Sequence, residues 1–383
     1  MTRPVTLVRI LCLLALLLAV GCRSGGGSTG EGTAVGDARG GASDPAGPGA
    51  DARPEGKGWV WTAPPPAWIG MPAADEREIA FTYGHQHLVV LDAEGRLRWD
   101  AYRLGLRDVA PRLSRAAVVA ATDDGMAAFR RSDGAALWDT SLAERANTPV
   151  VAGRLAVTTT WEGAVVGVGL DDGRVVWRTA LPGPSLGPPA TDGSTVVASW
   201  DHPDRRRGGV VALDASTGRQ RWAVTLPGGG VSAPTVAGGA AVLVAGDLAA
   251  HALEMGTGEE RWRTPVDGAG SPEVPPLAVD ARSVLVAHRL GGLDLLDAPT
   301  GRRTWKVATD GAAVRGGPVV GAEGSFAFPL HDGRVLLAGP TREAELLGPP
   351  AGRISGLATG PGGYLVGTTR EAMVNTAEAG PTW

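Results

Sequence analysis

Cysteine is almost missing from this chain of 383 residues, which has two, Cys12 and Cys22. Everything after Cys22 is therefore without a disulfide, a CxxC metal site or a nucleophilic thiol. Lysine is equally scarce: Lys57 and Lys306 are the only two, so nearly every cationic group is an arginine, a bias that reads as codon usage rather than function. Neither sign of charge is in excess, with 36 basic against 40 acidic residues and a net charge of −4. Such a balance supplies no broad positive field, and no nucleic-acid partner is expected. The apolar run at residues 10–20 has 11 residues, against the roughly 20 that a membrane-crossing helix needs. The sequence also has no GxSxG, no HExxH and no glycine-rich phosphate loop, and no separated pair of carboxylates stands out.

What the chain has is glycine and proline, 58 and 29 of them, with 43% hydrophobic and 20% charged residues. That balance suits many short strands and tight turns, and an all-β fold is expected. Arg3 and Arg9 precede the apolar run, which is the layout of an export signal. The run ends in Ala19-Val20-Gly21-Cys22, which resembles a bacterial lipobox, with alanine where leucine is usual. The reading is a lipoprotein signal peptide over residues 1–21, with Cys22 as the lipidated N-terminus of the mature chain. A diacyl group plus an N-acyl chain anchors far more firmly than a single chain. Residues 22–57 are dominated by Gly, Ser, Ala, Asp and Pro and form a disordered tether, reaching about 30 Å if it behaves as a coil. The folded domain is placed at residues 58–378.

Tryptophan supplies the main periodicity. Trp99, Trp138, Trp177, Trp222, Trp262 and Trp305 are separated by 39, 39, 45, 40 and 43 residues, the period of a propeller blade. Each closes a motif in which a strand ends at an acidic residue or its equivalent, turns at glycine and restarts. LVVLDAEGRLRW (88–99), VVALDASTGRQRW (210–222), AHALEMGTGEERW (250–262) and LDLLDAPTGRRTW (293–305) are the clear copies. MAAFRRSDGAALW (126–138) and VVGVGLDDGRVVW (165–177) lose the leading Asp, and VLLAGPTREAELL (335–347) has leucine in place of Trp. Pro111, Pro149, Pro189, Pro234, Pro276 and Pro318 recur about a dozen residues after each tryptophan. They mark the start of an innermost strand, whose channel-side edge has no ladder partner. Each unit is thus four short antiparallel strands, in which the indole fills the gap to a neighbouring blade and its N–H reaches a backbone carbonyl across the joint. The last unit, near residues 364–379, lacks an outer strand, while GWVWT at 58–62 is an outer strand without a blade. Pairing of 58–62 with the strand near 373–375 would give an eight-bladed β-propeller of four-stranded blades, closed by its N-terminal strand.

The motif Ala212-Leu213-Asp214-Ala215-Ser216-Thr217-Gly218 through Trp222 resembles the tryptophan-docking signature of the pyrroloquinoline-quinone-like repeat, and the resemblance runs over residues 58–378. Within that family it is most similar to the propeller lipoproteins of the outer-membrane barrel-assembly machinery, which implies a scaffold that docks on a partner. The family also contains quinoprotein dehydrogenases, which commonly stack their quinone on a vicinal disulfide beside calcium. No cysteine pair exists here and no calcium set can be matched, so no cofactor is expected.

Turns between the second and third strands of each blade are expected to share one face, and they hold 84–87 (Gly-His-Gln-His), Asp123-Asp124, Trp161-Glu162, His288-Arg289, His331-Asp332 and Arg370-Glu371. The sharpest feature is the insertion containing His202, Asp204, Arg205, Arg206 and Arg207, which lengthens one repeat to 45 residues. Three adjacent arginines suit carboxylates, phosphates or an anionic envelope polymer, although a solvated loop has the same composition. His85 and His87 share a strand face without a third ligand, and no metal site is assigned. The expectation is an exported, membrane-tethered monomer on the outer face of the cytoplasmic membrane or in the periplasm, which binds a protein or an anionic polymer and is not an enzyme. A quinone-dependent oxidoreductase and a ligand-sensing propeller are the alternatives.

Overall fold

Continuous apolar runs such as Val196-Val197-Ala198 and Val210-Val211-Ala212-Leu213 leave no polar face along a strand, so both faces must be covered. In the computed structural model they are, because sheets pack against sheets. The structure describes residues 53–55, 58–62, 68–204, 206–266, 274–288, 292–308, 318–320, 325–330, 334–347, 356–360, 365–368 and 372–376. Among these residues the strands form seven four-stranded antiparallel sheets, each in sequence order, and one five-stranded sheet. The seven, here called blades 1 to 7, begin at residues 73, 112, 150, 190, 235, 277 and 319. The fold is an all-β propeller.

Blade 4 is representative. Its strands are Ala190–Thr191, Thr195–Asp201, Arg207–Asp214 and Gln220–Pro227. The second and third are buried on both faces, whereas the fourth alternates and buries only Trp222, Leu226 and, in part, Val224. The first strand is two residues long, consistent with an innermost position opened by Pro189. In blades 1 to 6 the pairing of the third and fourth strands slips by one residue beside the tryptophan, as between Ala212 and Leu213 opposite Trp222. Such a bulge re-aims the side chain next to it, and here it faces the next blade.

The five-stranded sheet contains Gly356–Thr359, Leu365–Thr368 and Ala372–Thr376 followed by the N-terminal strands Gly58–Thr62 and Arg53–Glu55. Trp59 pairs with Asn375 and Thr62 with Ala372. Trp61 is buried against blade 1, edge-on to Phe81 at 4.9 Å between ring centroids and tilted on Tyr83 at 5.6 Å. Cys22 and the segments 1–52 and 377–383 lie outside the described residues, as do Arg205, Arg289, His331, Asp332, Arg370 and Glu371.

Candidate functional site

The joints between blades come first, because they fix everything above them. The indole Nε1 of Trp99 donates to the carbonyl of Arg131 at 2.8 Å, Trp138 to Leu170 at 2.8 Å, Trp177 to Ala215 at 3.0 Å, Trp222 to Met255 at 2.9 Å and Trp262 to Ala298 at 2.7 Å. Each acceptor lies in the following blade. Trp305 is half-buried and packs at 5.9 Å on Phe326 of blade 7. The same rings cover the turn glycine of the next blade, Trp177 resting on Gly218. Two residues after the tryptophan a threonine repeats the reach: Thr140, Thr179 and Thr264 donate to the carbonyls of Gly173, Gly218 and Gly301 at 2.6, 2.7 and 2.8 Å. Inside the turn, Asp214 accepts the backbone N–H and hydroxyl of both Ser216 and Thr217, and a guanidinium N–H of Arg221 at 2.7 Å. The Ser216 hydroxyl and Arg221 hold its carboxyl far below the usual carboxylate range.

With four antiparallel strands per blade, the turns between second and third strands and the links from one blade to the next emerge at the same end. On this loop face the structure assembles one built cluster. Trp161, in the turn of blade 3, is 37% exposed. Arg107, from the link between blades 1 and 2, and Arg145, from the link between blades 2 and 3, place their guanidinium carbons 4.8 and 5.0 Å from its ring centroid. Both distances lie within cation–π range. The indole is also held edgewise, its Nε1 donating to Asn147 Oδ1 at 2.9 Å. Asn147 is itself buried, and its amide donates to Thr159 Oγ1 at 2.9 Å and to the Ser185 carbonyl at 3.0 Å. Arg107 is tied to the Ala146 carbonyl at 3.1 Å. Burial lowers its pKa, and neighbouring Arg145 adds to that; an arginine stays charged regardless. Neither arginine has an ion pair among the described residues.

Asp108, next in the chain, has one carboxylate oxygen 3.4 Å from His85 Nε2 and the other buried without a hydrogen bond. Burial raises its pKa, against the lowering influence of His85 and Arg107. The cluster therefore presents a rigid aromatic with two cations and one under-satisfied carboxylate. That suits recognition of an acidic or amphipathic protein surface, since preorganised Trp and Arg side chains dominate interface energetics.

The insertion on the neighbouring blade 4 is a hairpin extension on this same face. Asp201 pairs with Gly208, the His202 amide donates to the Arg207 carbonyl at 3.0 Å, and Gly228 of the next link donates to the Arg206 carbonyl at 3.2 Å. His202 Nδ1 lies 2.9 Å from Asp204 Oδ1, which also accepts the Arg206 amide at 2.9 Å. That amide is the main cause of the lowered pKa of Asp204. Arg206 and Arg207 are exposed.

The other rim residues separate. His85 turns outward with φ +59°, while His87 is buried, stacked on Tyr83 at 4.3 Å and 3.0 Å from Asp100. Burial raises the Asp100 pKa, against the pull of His87. The HxH pair thus points in two directions. His288 lies 3.1 Å from buried Asp294, which also meets Arg303 at 2.7 Å. Asp124 belongs to a bridge from Arg103, which also holds Asp139 at 2.9 Å. Sequence reasoning found Trp161 but missed Arg107, Arg145 and Asn147. The two arginines stand four residues before Pro111 and Pro149 respectively, a shared offset in consecutive links that the proline periodicity made visible.

The fold and its tryptophan-closed joints define a β-propeller of the pyrroloquinoline-quinone-like repeat type. The chain belongs to the family described as outer membrane protein assembly factor BamB, whose model matches residues 122–202 and 162–374. No curated protein matches it. Similar solved structures include BamB from Moraxella catarrhalis, with 16% identity and a TM-score of 0.62 over 85% of this chain and 99% of that one. The computationally designed Ika8 protein is 13% identical, with a TM-score of 0.68 over 81% and 96%. The C-terminal WD40 domain of Sif2 is 12% identical, with a TM-score of 0.64 over 82% and 97%. At these identities the likeness concerns the fold alone.

Proposed function

We propose that this protein is a lipid-anchored scaffold of the cell envelope that binds a protein partner across its loop face and catalyses no reaction. The observation that carries the reading is the Arg107–Trp161–Arg145 cluster: an exposed indole fixed by a buried asparagine and flanked by two guanidiniums without ion pairs among the described residues. Membership of the assembly-factor family supports a docking role over a catalytic one. The export layout of residues 1–21 and the lipobox-like Cys22 support tethering outside the cytoplasmic membrane, with the chain from Cys22 up to the paired strand Arg53–Glu55 as spacer. The exposed Arg206 and Arg207 of the hairpin, beside His202 and Asp204, extend the same face toward acidic groups of the partner.

The scaffold is read as a monomeric ring of eight blades, the eighth closed by residues 58–62. The ladder from Trp59–Asn375 to Thr62–Ala372 and the contact of Trp61 with Phe81 support that reading. The test is site-specific photo-crosslinking in cells. A crosslinker at position 161 is expected to give one discrete adduct with an envelope protein, and a crosslinker at Arg302, in a turn at the opposite end of the strands, to give none. Equal labelling from both positions, or none from position 161, rejects the loop face as the docking site.

A further inference from the structure

The joint between blades 1 and 2 departs from the pattern of the others. At the position whose carbonyl accepts the preceding indole, the later blades carry Leu170, Ala215, Met255 and Ala298, whereas blade 2 carries Arg131. The residue before it is Arg130, where the clearest copies have the turn's acidic residue. The second strand of blade 1 starts with Glu78, which is buried, whereas its counterparts in blades 2 to 5 are Ala117, Leu155, Thr195 and Ala240. Arg131 closes on this site with Nε 2.7 Å from Glu78 and Nη2 2.5 Å from Asp75, and its Nη1 donates to the Ser114 carbonyl at 2.8 Å. Every nitrogen of that guanidinium is engaged, so Arg131 is structural.

Above it lies a groove of about 1010 Å³ at the end of the strands opposite the loop face, as large as the upper end of ordinary small-ligand pockets. Its wall is built from the turns at 75–77 and 115–116, the turn at 130–132 and Arg98 of a fourth strand. Five arginines face three carboxylates there, and Asp75 and Glu78 are already spent on Arg131. Arg98 shares Glu78 at 3.2 Å and Arg130 pairs with Asp133 at 2.9 Å. Arg77 and Arg115 are exposed and have no ion pair among the described residues. The result is a concave site with surplus guanidinium forks on a base fixed by a buried ion network.

We infer that this groove binds a small ligand through a doubly charged phosphate group, with Arg77 and Arg115 as its principal contacts. Guanidinium forks match phosphate oxygens two at a time, and a tetrahedral dianion accepts from two forks at once. The inference is independent of the protein-binding reading, since it concerns the other end of the strands. Its test is calorimetric titration of the purified full chain with inorganic pyrophosphate at low salt. Saturable binding is expected, weakened roughly tenfold in each of Arg77→Gln and Arg115→Gln and unchanged in Arg206→Gln. The two lining side chains make no hydrogen bond or ion pair among the described residues, and an unchanged melting temperature in each variant will show that the fold is intact. Absence of saturable heat, or equal binding by all three variants, overturns the site. Equal affinity for succinate overturns the phosphate assignment.

Discussion

The indole of Trp177 lies so close on Gly218 of the following blade that a Cβ added there would stand 2.6 Å from its ring atoms. Gly218 also has φ +68°, so one position answers two demands, a left-handed turn and a flat surface for its neighbour. Gly193 separates them, because it has φ +97° with nothing within 4 Å of an added Cβ. Gly218→Ala is expected to cost on the order of 3 kcal/mol and Gly193→Ala about 1 kcal/mol. Urea denaturation midpoints measure both, and equal losses would remove the contact from the explanation.

The donors across that joint separate in the same way. Trp177→Phe leaves the Ala215 carbonyl without its partner and is expected to cost about 2 kcal/mol, while Thr179→Val, which frees the Gly218 carbonyl, costs about 1 kcal/mol. Thermal unfolding of the two single variants and the double variant gives the coupling between them.

Much of this architecture was legible in the primary structure because it repeats. Six tryptophans at blade spacing, each preceded by a turn and followed by a proline, carry the four-stranded unit and the all-β class. The covering of glycine by the preceding indole was not legible, because it joins residues about forty apart whose types have other local reasons to be there. The threonines two residues after the tryptophan were hidden for the same reason. At the loop face, Trp161-Glu162 was visible as one of the turns expected to share that face. Its arginines come from two different links, and their convergence depends on how successive blades fan around their inner strands. In the copy at 126–138 only the loss of the leading Asp, at the position of Arg130, was legible, since a departure from the motif does not reveal the buried Glu78 that meets Arg131.

Arg131→Ala is expected to destabilise by about 3 kcal/mol, because Glu78 keeps only the more distant Arg98. Replacing the pair together, Arg131→Met with Glu78→Leu, is expected to recover most of that loss, since apolar substitutes avoid the desolvation of two charges. Denaturant titration of the single and double variants decides it; a double variant no better than the single one would mean that the ion pair stabilises in its own right.

Asp108 gives a pH signature. Burial raises its folded-state pKa above the ordinary 3.8, although His85 and Arg107 pull the other way and Asp123 adds to the rise. The native state therefore keeps a proton that the unfolded chain has released, and this group's contribution to stability falls as pH rises through that window. Asp108→Asn removes the dependence. Its melting temperature relative to the unsubstituted protein is expected to improve as pH is raised from 3 to 6. A difference that is flat across this range would mean that the carboxyl titrates normally.

Cys22→Ser tests the anchor. The substituted protein is expected to leave the membrane fraction and to lose incorporation of labelled palmitate, while its melting temperature stays unchanged. Retention in membranes would assign attachment to the apolar run at residues 10–20 instead.

The acceptor carbonyls offered to Trp138, Trp177, Trp222 and Trp262 are equivalent, so a unit gained or lost by recombination between those repeats meets a neighbour it already fits. The joint formed by Arg131 and Glu78 is exempt. A unit imported there brings an aliphatic residue and leaves the buried Glu78 with Arg98 alone. That joint gives a series of otherwise interchangeable units a fixed register around the ring.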